Sequence, residues 1–320
     1  MSGYGAQQPE TAGASASEKG HGPLYRAPFI GLFAFFAVLL SNPILHAVSV
    51  LGKHALPAQY SLYVFLLIGA VGVAVFLYGV RKEGEAVGTV TGFIAGCLLW
   101  TGWASASFHY HARDAGFDPT QLSETQSRAA SFIFIESSFA ICVVVLLFFV
   151  FNKDTKCDAF RWIQRVMRIS LGRASSGQGR NYCRITFLET IFVIWFCYGF
   201  ALYLSDDRFL GRHHPVTYVI VALMALWSFY LIWKLLRFER MMPALRFAIP
   251  TKSIFWIPFG EYGPNYGFYE DIWVKPLEYT VPMWAAFIIF IAALVAVVLV
   301  NQRREAVRDA KRAARAATGE

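Results

Sequence analysis

Charge is scarce in this sequence. Asp, Glu, Lys and Arg make up 16% of its 320 residues, against 56% hydrophobic residues. With a positive mean hydropathy, that scarcity argues against a single water-soluble core. Cysteine is sparse too. The five cysteines, Cys97, Cys142, Cys157, Cys183 and Cys197, form no CxxC pair. Four lie in or beside apolar runs and read as small packing residues. The first residues lack the basic start of a cleaved signal, and the apolar run behind them is too long for one, so an uncleaved first span is expected. There is no internal repeat. No basic patch interleaved with aromatics is present, so nucleic acid is not an expected partner, and the net charge of +8 reflects membrane orientation.

What the chain does have is long apolar runs. Seven stand out: Ala27–Ser49, Gln59–Val80, Val87–Phe108, Ala129–Val150, Ile185–Leu204, Pro215–Trp233 and Pro276–Val300. Each reaches the roughly 20 residues that a helix needs to cross the hydrocarbon core of a bilayer. In lipid the backbone must satisfy its own hydrogen bonds, so these runs are helices. The Gly-, Ala-, Ser- and Gln-rich segment before them reads as a disordered tail.

Basic residues set the orientation. Lys153, Lys156, Arg161, Arg165, Arg168, Arg173, Arg180 and Arg184 follow the fourth run, and Arg303, Arg304, Arg308, Lys311, Arg312 and Arg315 follow the last. The positive-inside rule puts both clusters in the cytoplasm, yet seven crossings would separate them. The conflict disappears if Phe247–Phe259 also crosses as a short or broken helix shielded by its neighbours. Lys234, Arg237, Arg240 and Arg246 are then inside, the acidic stretch 261–271 is outside, and both termini are cytoplasmic. A re-entrant loop, or an odd number of crossings with a weak charge signal, is the competing reading. The expected fold class is therefore all-α: a polytopic transmembrane helix bundle of seven long spans plus one short or re-entrant span.

Three outer segments then collect the polar side chains. One holds His109, His111, Asp114 and Asp118; a second holds Asp206, Asp207, His213 and His214; the third holds Glu261, Asn265, Glu270, Asp271 and Glu278. Imidazole beside carboxylate suits a borderline divalent ion such as copper, zinc or iron, although His-x-His and His-His also occur in ordinary loops. Glu136 and Glu189 lie inside predicted spans. A carboxylate there costs several kcal/mol unless paired, protonated or hydrated, so both are candidates for function. The plain alternative is a hydrogen bond between helices. Gly88, Gly92 and Gly96 recur at four-residue spacing, a pattern for close helix packing.

The segment Glu261–Tyr279 resembles the C subunit of the copper membrane monooxygenases, the particulate methane and ammonia monooxygenases. Glu261, Gly263, Phe268, Glu270, Asp271, Val274, Pro276, Leu277 and Tyr279 fit the family frame without a gap. Further upstream, Ser205–His213, Lys153–Lys156 and Gly116-Phe117-Asp118 fall in the family's order. The resemblance covers roughly residues 85 to 301. It departs from the family at Gly260, Pro264 and Glu278, which stand where one family metal site has its ligands, so that site is absent as such.

Composition and charge set off a disordered cytoplasmic tail (1–26) and a basic cytoplasmic tail (302–320); the resemblance implies a C-subunit-like bundle (85–301) preceded by two additional N-terminal transmembrane helices (27–84). It implies a multi-pass protein of a prokaryotic cytoplasmic membrane, assembled with A- and B-type subunits, that hydroxylates a small nonpolar substrate with O₂. Copper would be held by Asp207, His213 and His214. Glu270 and Glu278 would support those ligands or replace one, and so would His109 and His111. A scaffold subunit without chemistry, or an unrelated transporter or channel, is the alternative.

Overall fold

The computed structural model describes residues 26–54, 58–82, 84–114, 135, 138–139, 141–147, 150–151, 158–169, 181–207 and 209–318. All regular structure among them is helical. The helices are α1 (Phe29–Leu39), α2 (Ser41–His54), α3 (Ala58–Val80), α4 (Glu85–Leu99), α5 (Ala106–Asp114), α6 (Asp158–Val166), α7 (Tyr182–Ser205), α8 (Pro215–Leu235), α9 (Met241–Trp256) and α10 (Thr280–Thr318). A π-helical stretch, Trp100–Ser105, joins α4 to α5, and a second, Ile257–Tyr262, extends α9.

Six helical stretches are long and apolar enough to cross a membrane: Phe29–Lys53, Tyr60–Val80, Glu85–Phe108, Tyr182–Ser205, Pro215–Leu235 and Thr280–Arg303. They correspond to six of the seven long runs in the sequence. The remaining run, Ala129–Val150, falls largely outside the described residues, as do Glu136, Asp118 and the segment 152–157.

The break between α1 and α2 follows from Pro43. Lacking an N–H, it cannot bond back to Leu39, so the helical ladder is interrupted at Leu40. Pro258 acts similarly beyond α9: it cannot donate to Ile254, and the chain continues with the wider π repeat.

Glycines set the packing at the heart of the bundle. A Cβ on Gly92 would fall 2.5 Å from the Cys183 carbonyl oxygen, and one on Gly96 2.8 Å from Thr190 Cβ. Gly88 lies against Tyr182 and Cys183. Rising positions on α4 thus meet rising positions on α7, and the two helices run parallel in close contact. On the other side, Gly79 meets Thr91, Gly72 meets Leu98 and Gly69 meets Trp103, which makes α3 antiparallel to α4.

This register locates α9. Near its start, Arg246 pairs with Glu85, the first residue of α4. At the far end of its π extension, Tyr262 hydroxyl lies 2.9 Å from the hydroxyl of Ser205, the last residue of α7. Since α4 and α7 are parallel, α9 and its extension reach from one end of the bundle to the other. At about 1.5 Å per residue that is roughly 30 Å, the thickness of a hydrocarbon core. The helical segment is longer than Phe247–Phe259 suggested, because Arg246 and Lys252 dilute its apolar character.

The two ends differ chemically. At the first, Lys82 lies over Tyr78, Lys234 over Tyr230 and Arg237 over Trp233, at 5.1, 5.3 and 3.5 Å. Such aromatic–basic pairs suit a headgroup boundary. The opposite end carries the aromatic and acidic segment 261–279.

Candidate functional site

The α7–α8 hairpin and the Glu261–Tyr279 segment meet at this second end. Arg212 Nη1 donates to Asn265 Oδ1 at 2.8 Å, and Tyr266 hydroxyl donates to the Arg212 carbonyl at 3.0 Å. The His213 ring lies 6.1 Å from that of Tyr266 and 6.4 Å from that of Tyr218. Burial first, then the nearby Tyr262 and Tyr218 hydroxyls, push the Tyr266 phenol up to about 12. It therefore stays a neutral donor at ordinary pH.

The candidate copper ligands occupy this hairpin, each with a local task. Helix α8 starts at Pro215, whose fixed φ suits the first helical position. His214 is its N-cap, with Nδ1 accepting the Val216 N–H at 3.2 Å. His213 Nδ1 lies 3.0 Å from Tyr218 hydroxyl. Gly211, at φ +81°, leaves room for the Asp207 carboxylate, which sits where a Cβ would stand. Asp207, His213 and His214 are all exposed. Among the described residues, no three His, Cys, Asp or Glu side chains come together as a metal-holding group. The hydrogen bonds at the hairpin engage the Nδ1 atoms of His213 and His214 and leave each Nε2 as the ring nitrogen that would face an ion.

The other candidates sit on other elements. His109 and His111 are on α5, with His111 exposed. Glu270 accepts a hydrogen bond from Tyr279 hydroxyl at 2.5 Å, and Glu278 lies 4.0 Å from Lys275. Glu189 is half-buried on α7.

The structure also assembles polar groups that sequence reasoning missed. His46 on α2 lies 3.5 Å from Glu261, and Trp256 Nε1 donates to the same carboxylate oxygen at 2.9 Å. The Trp256 and His46 rings stack at 5.8 Å. One turn deeper, Lys252 is fully buried, with Nζ 3.1 Å from Ser41 Oγ and in hydrogen-bond contact with Asn42 Oδ1. A signal was available: Lys252 lies inside the short predicted span, and an ionisable residue there is a functional candidate by default.

Fold and polar ends together define a multi-pass α-helical membrane protein. No protein-family model, curated protein or solved structure matches the chain.

Proposed function

We propose that this chain is a C-type membrane subunit of a copper-dependent monooxygenase complex, and that its own part is to seat the partner subunits. One observation carries the reading. The two segments in which the sequence resembles that family, Ser205–His213 and Glu261–Tyr279, pack on each other through Arg212, Asn265, Tyr262 and Tyr266.

The scaffold role follows from the hairpin, whose donors serve the helix start and the neighbouring tyrosines. It also follows from α8, which buries only Thr217, Val221, Ser228 and Leu235 and presents Leu223, Leu226, Phe229 and Trp233 outward. Those side chains face lipid or the A- and B-type partners. Eight crossings, with α9 and its π extension as the added one, put the basic end and both termini in the cytoplasm of a prokaryotic cell. The acidic, aromatic end then faces outward.

A second reading makes the same subunit catalytic. Asp207 and His213 do share one hairpin, and a partner subunit could supply the missing donor for copper. Bound copper would supply O₂ activation, while this chain would hold the ion's ligands and offer an apolar, aromatic surround to a small substrate.

The test is purification from native membranes in mild detergent, followed by identification of the co-purifying chains. Recovery with two further membrane subunits of a copper oxygenase supports the assignment. A monodisperse single-chain protein without them refutes it.

A further inference from the structure

We propose that Lys252 is a proton-binding site in the membrane interior, exchanging protons with the outer face through His46 and Glu261. The inference goes beyond the subunit assignment and does not depend on it.

The argument begins with the donors and acceptors around Nζ. Lys252 lies midway along the continuous helix of α9 and its π extension and has no solvent exposure. Ser41 Oγ spends its own hydrogen on the Val38 carbonyl at 2.7 Å, so toward Lys252 it acts as an acceptor. Asn42 Oδ1 is the second acceptor. Two acceptors match the two N–H groups of a neutral amine, and the third position on nitrogen is either a lone pair or a third N–H. This arrangement suits the amine and the ammonium alike. A structural lysine would instead be expected beside a carboxylate, because an isolated buried ammonium is costly. Among the described residues no ion pair to Lys252 is formed.

Among the described residues, Cys97 of α4 and Cys197 of α7 are titratable neighbours of Lys252. Helix α1 carries no titratable side chain, and α8 carries none between Tyr218 and Tyr230.

A polar line leads outward from this site. Asn42 and His46 are four residues apart on one face of α2, as are Lys252 and Trp256 on α9. The axial step along each helix is about 6 Å, and water is the carrier between the His46 ring and Lys252 Nζ. His46 and Glu261 side chains are 37% and 31% exposed, and they lie at the end of the bundle that carries the segment 261–279. In a transfer inward, the N–H bond of the His46 imidazolium breaks and its proton passes through the water. A new N–H bond forms at the Lys252 lone pair, and the neutral imidazole is reloaded from outside. Glu261 holds the imidazolium by its charge, and Trp256 fixes the ring by stacking.

The experiment follows the Nζ hydrogens directly. The full chain, with any subunits that purify with it, is placed in lipid nanodiscs with ¹⁵N on lysine Nζ. The Lys252 signal is assigned by its loss in Lys252→Met, or in Lys252→Arg should the first variant not fold. Hydrogen–deuterium exchange at that signal is then timed. His46→Phe keeps the stack on Trp256 and Glu261→Gln keeps the Trp256 hydrogen bond, so both retain the local packing. Each should slow exchange by about a hundred-fold, the scale of a positioned proton carrier. Thr89→Val, at the opposite end, should leave it unchanged. Equal exchange in His46→Phe and the wild type would overturn the proposal. So would slowing by Thr89→Val, or wild-type hydrogens that never exchange.

Discussion

Arg246 Nη2 and Glu85 Oε1 lie 2.7 Å apart, which ties the beginning of α9 to the first residue of α4. Arg246 also donates to Thr89 Oγ1 at 3.1 Å, and its guanidinium lies 5.0 Å from the centre of the Tyr182 ring. With side chains 11% and 20% exposed, the pair is shielded from water. A guanidinium at such a site is tolerated because the carboxylate and hydroxyl take its donors.

Removing one partner should therefore hurt more than removing both. Glu85→Gln strands a shielded charge and is expected to destabilise the bundle by about 3 kcal/mol. The double variant Glu85→Gln, Arg246→Met should recover much of that loss. Thermal unfolding of the four proteins in one detergent gives the coupling. Strictly additive losses would show that the two side chains act independently.

The same pair explains what could and could not be read in the sequence. Six long apolar runs were legible because nothing interrupts their hydrophobicity over a full bilayer thickness. The length of α9 was not, since Arg246, Pro250 and Lys252 break its apolar run and their partners Glu85, Ser41 and Asn42 are distant in sequence. The glycine spacing on α4 announced a close contact but not that α7 would be its partner. His46 was hidden: a single histidine in an apolar run carries no periodic signal, and Glu261 meets it only after folding. The apolar run beginning at Pro215 placed His213 and His214 just ahead of a helix, where the structure has them. The hydrogen bonds that occupy their Nδ1 atoms depend on local geometry that residue types do not reveal.

Glycine substitutions on α3 and α4 should respond to what stands opposite. Gly92→Ala drives a methyl against the Cys183 carbonyl, a backbone atom that cannot step aside. A loss of about 1–3 kcal/mol is expected from such overpacking. Gly72→Ala meets its nearest atoms at 3.1 Å and should lose less, with improved helix propensity as an offset. Fluorescence-monitored thermal denaturation ranks the two, and equal stability would contradict the α4–α7 contact.

Topology can be checked at the two ends of α9. Asn265→Cys should react with a membrane-impermeant maleimide added outside intact cells, and Arg240→Cys should react only after the membrane is opened. The expectation rests on α9 and its extension reaching from the Glu85 end to the Ser205 end. Labelling of both positions from the same side would rule out α9 as a crossing.

Tyr279 offers a pH readout outside the membrane. Its hydroxyl donates to Glu270, and that hydrogen bond, with the carboxylate charge, raises the phenol above its ordinary value. A raised phenol pKa means that the stabilisation is complete below about pH 10. It is lost as pH rises through the higher folded value. Glu270→Gln should move the Tyr279 phenolate absorbance to lower pH, assigned by difference against Tyr279→Phe. An unchanged titration would show that the two groups are not coupled in solution.

On the proposed assignment, the hairpin is where a ligand role and a scaffold role for this chain part company. His213 Nδ1 is engaged with Tyr218, His214 Nδ1 caps α8, and Asp207 fills the space beside Gly211. Among the described residues no group of three His, Cys, Asp or Glu side chains forms here, and the scaffold role proposed above gives the hairpin no metal to hold. His213→Ala, examined in the purified complex, should therefore leave the copper content and substrate hydroxylation close to wild type. His214→Asn preserves an N-cap acceptor and should do the same, whereas His214→Ala should cost about 1 kcal/mol of stability through the lost cap. Copper content by elemental analysis and turnover with O₂ and a reductant are measured on the same preparations. If His213→Ala and His214→Asn both release copper and abolish hydroxylation while thermal stability holds, the hairpin is a ligand site, and the subunit takes part in the chemistry that a scaffold would only house.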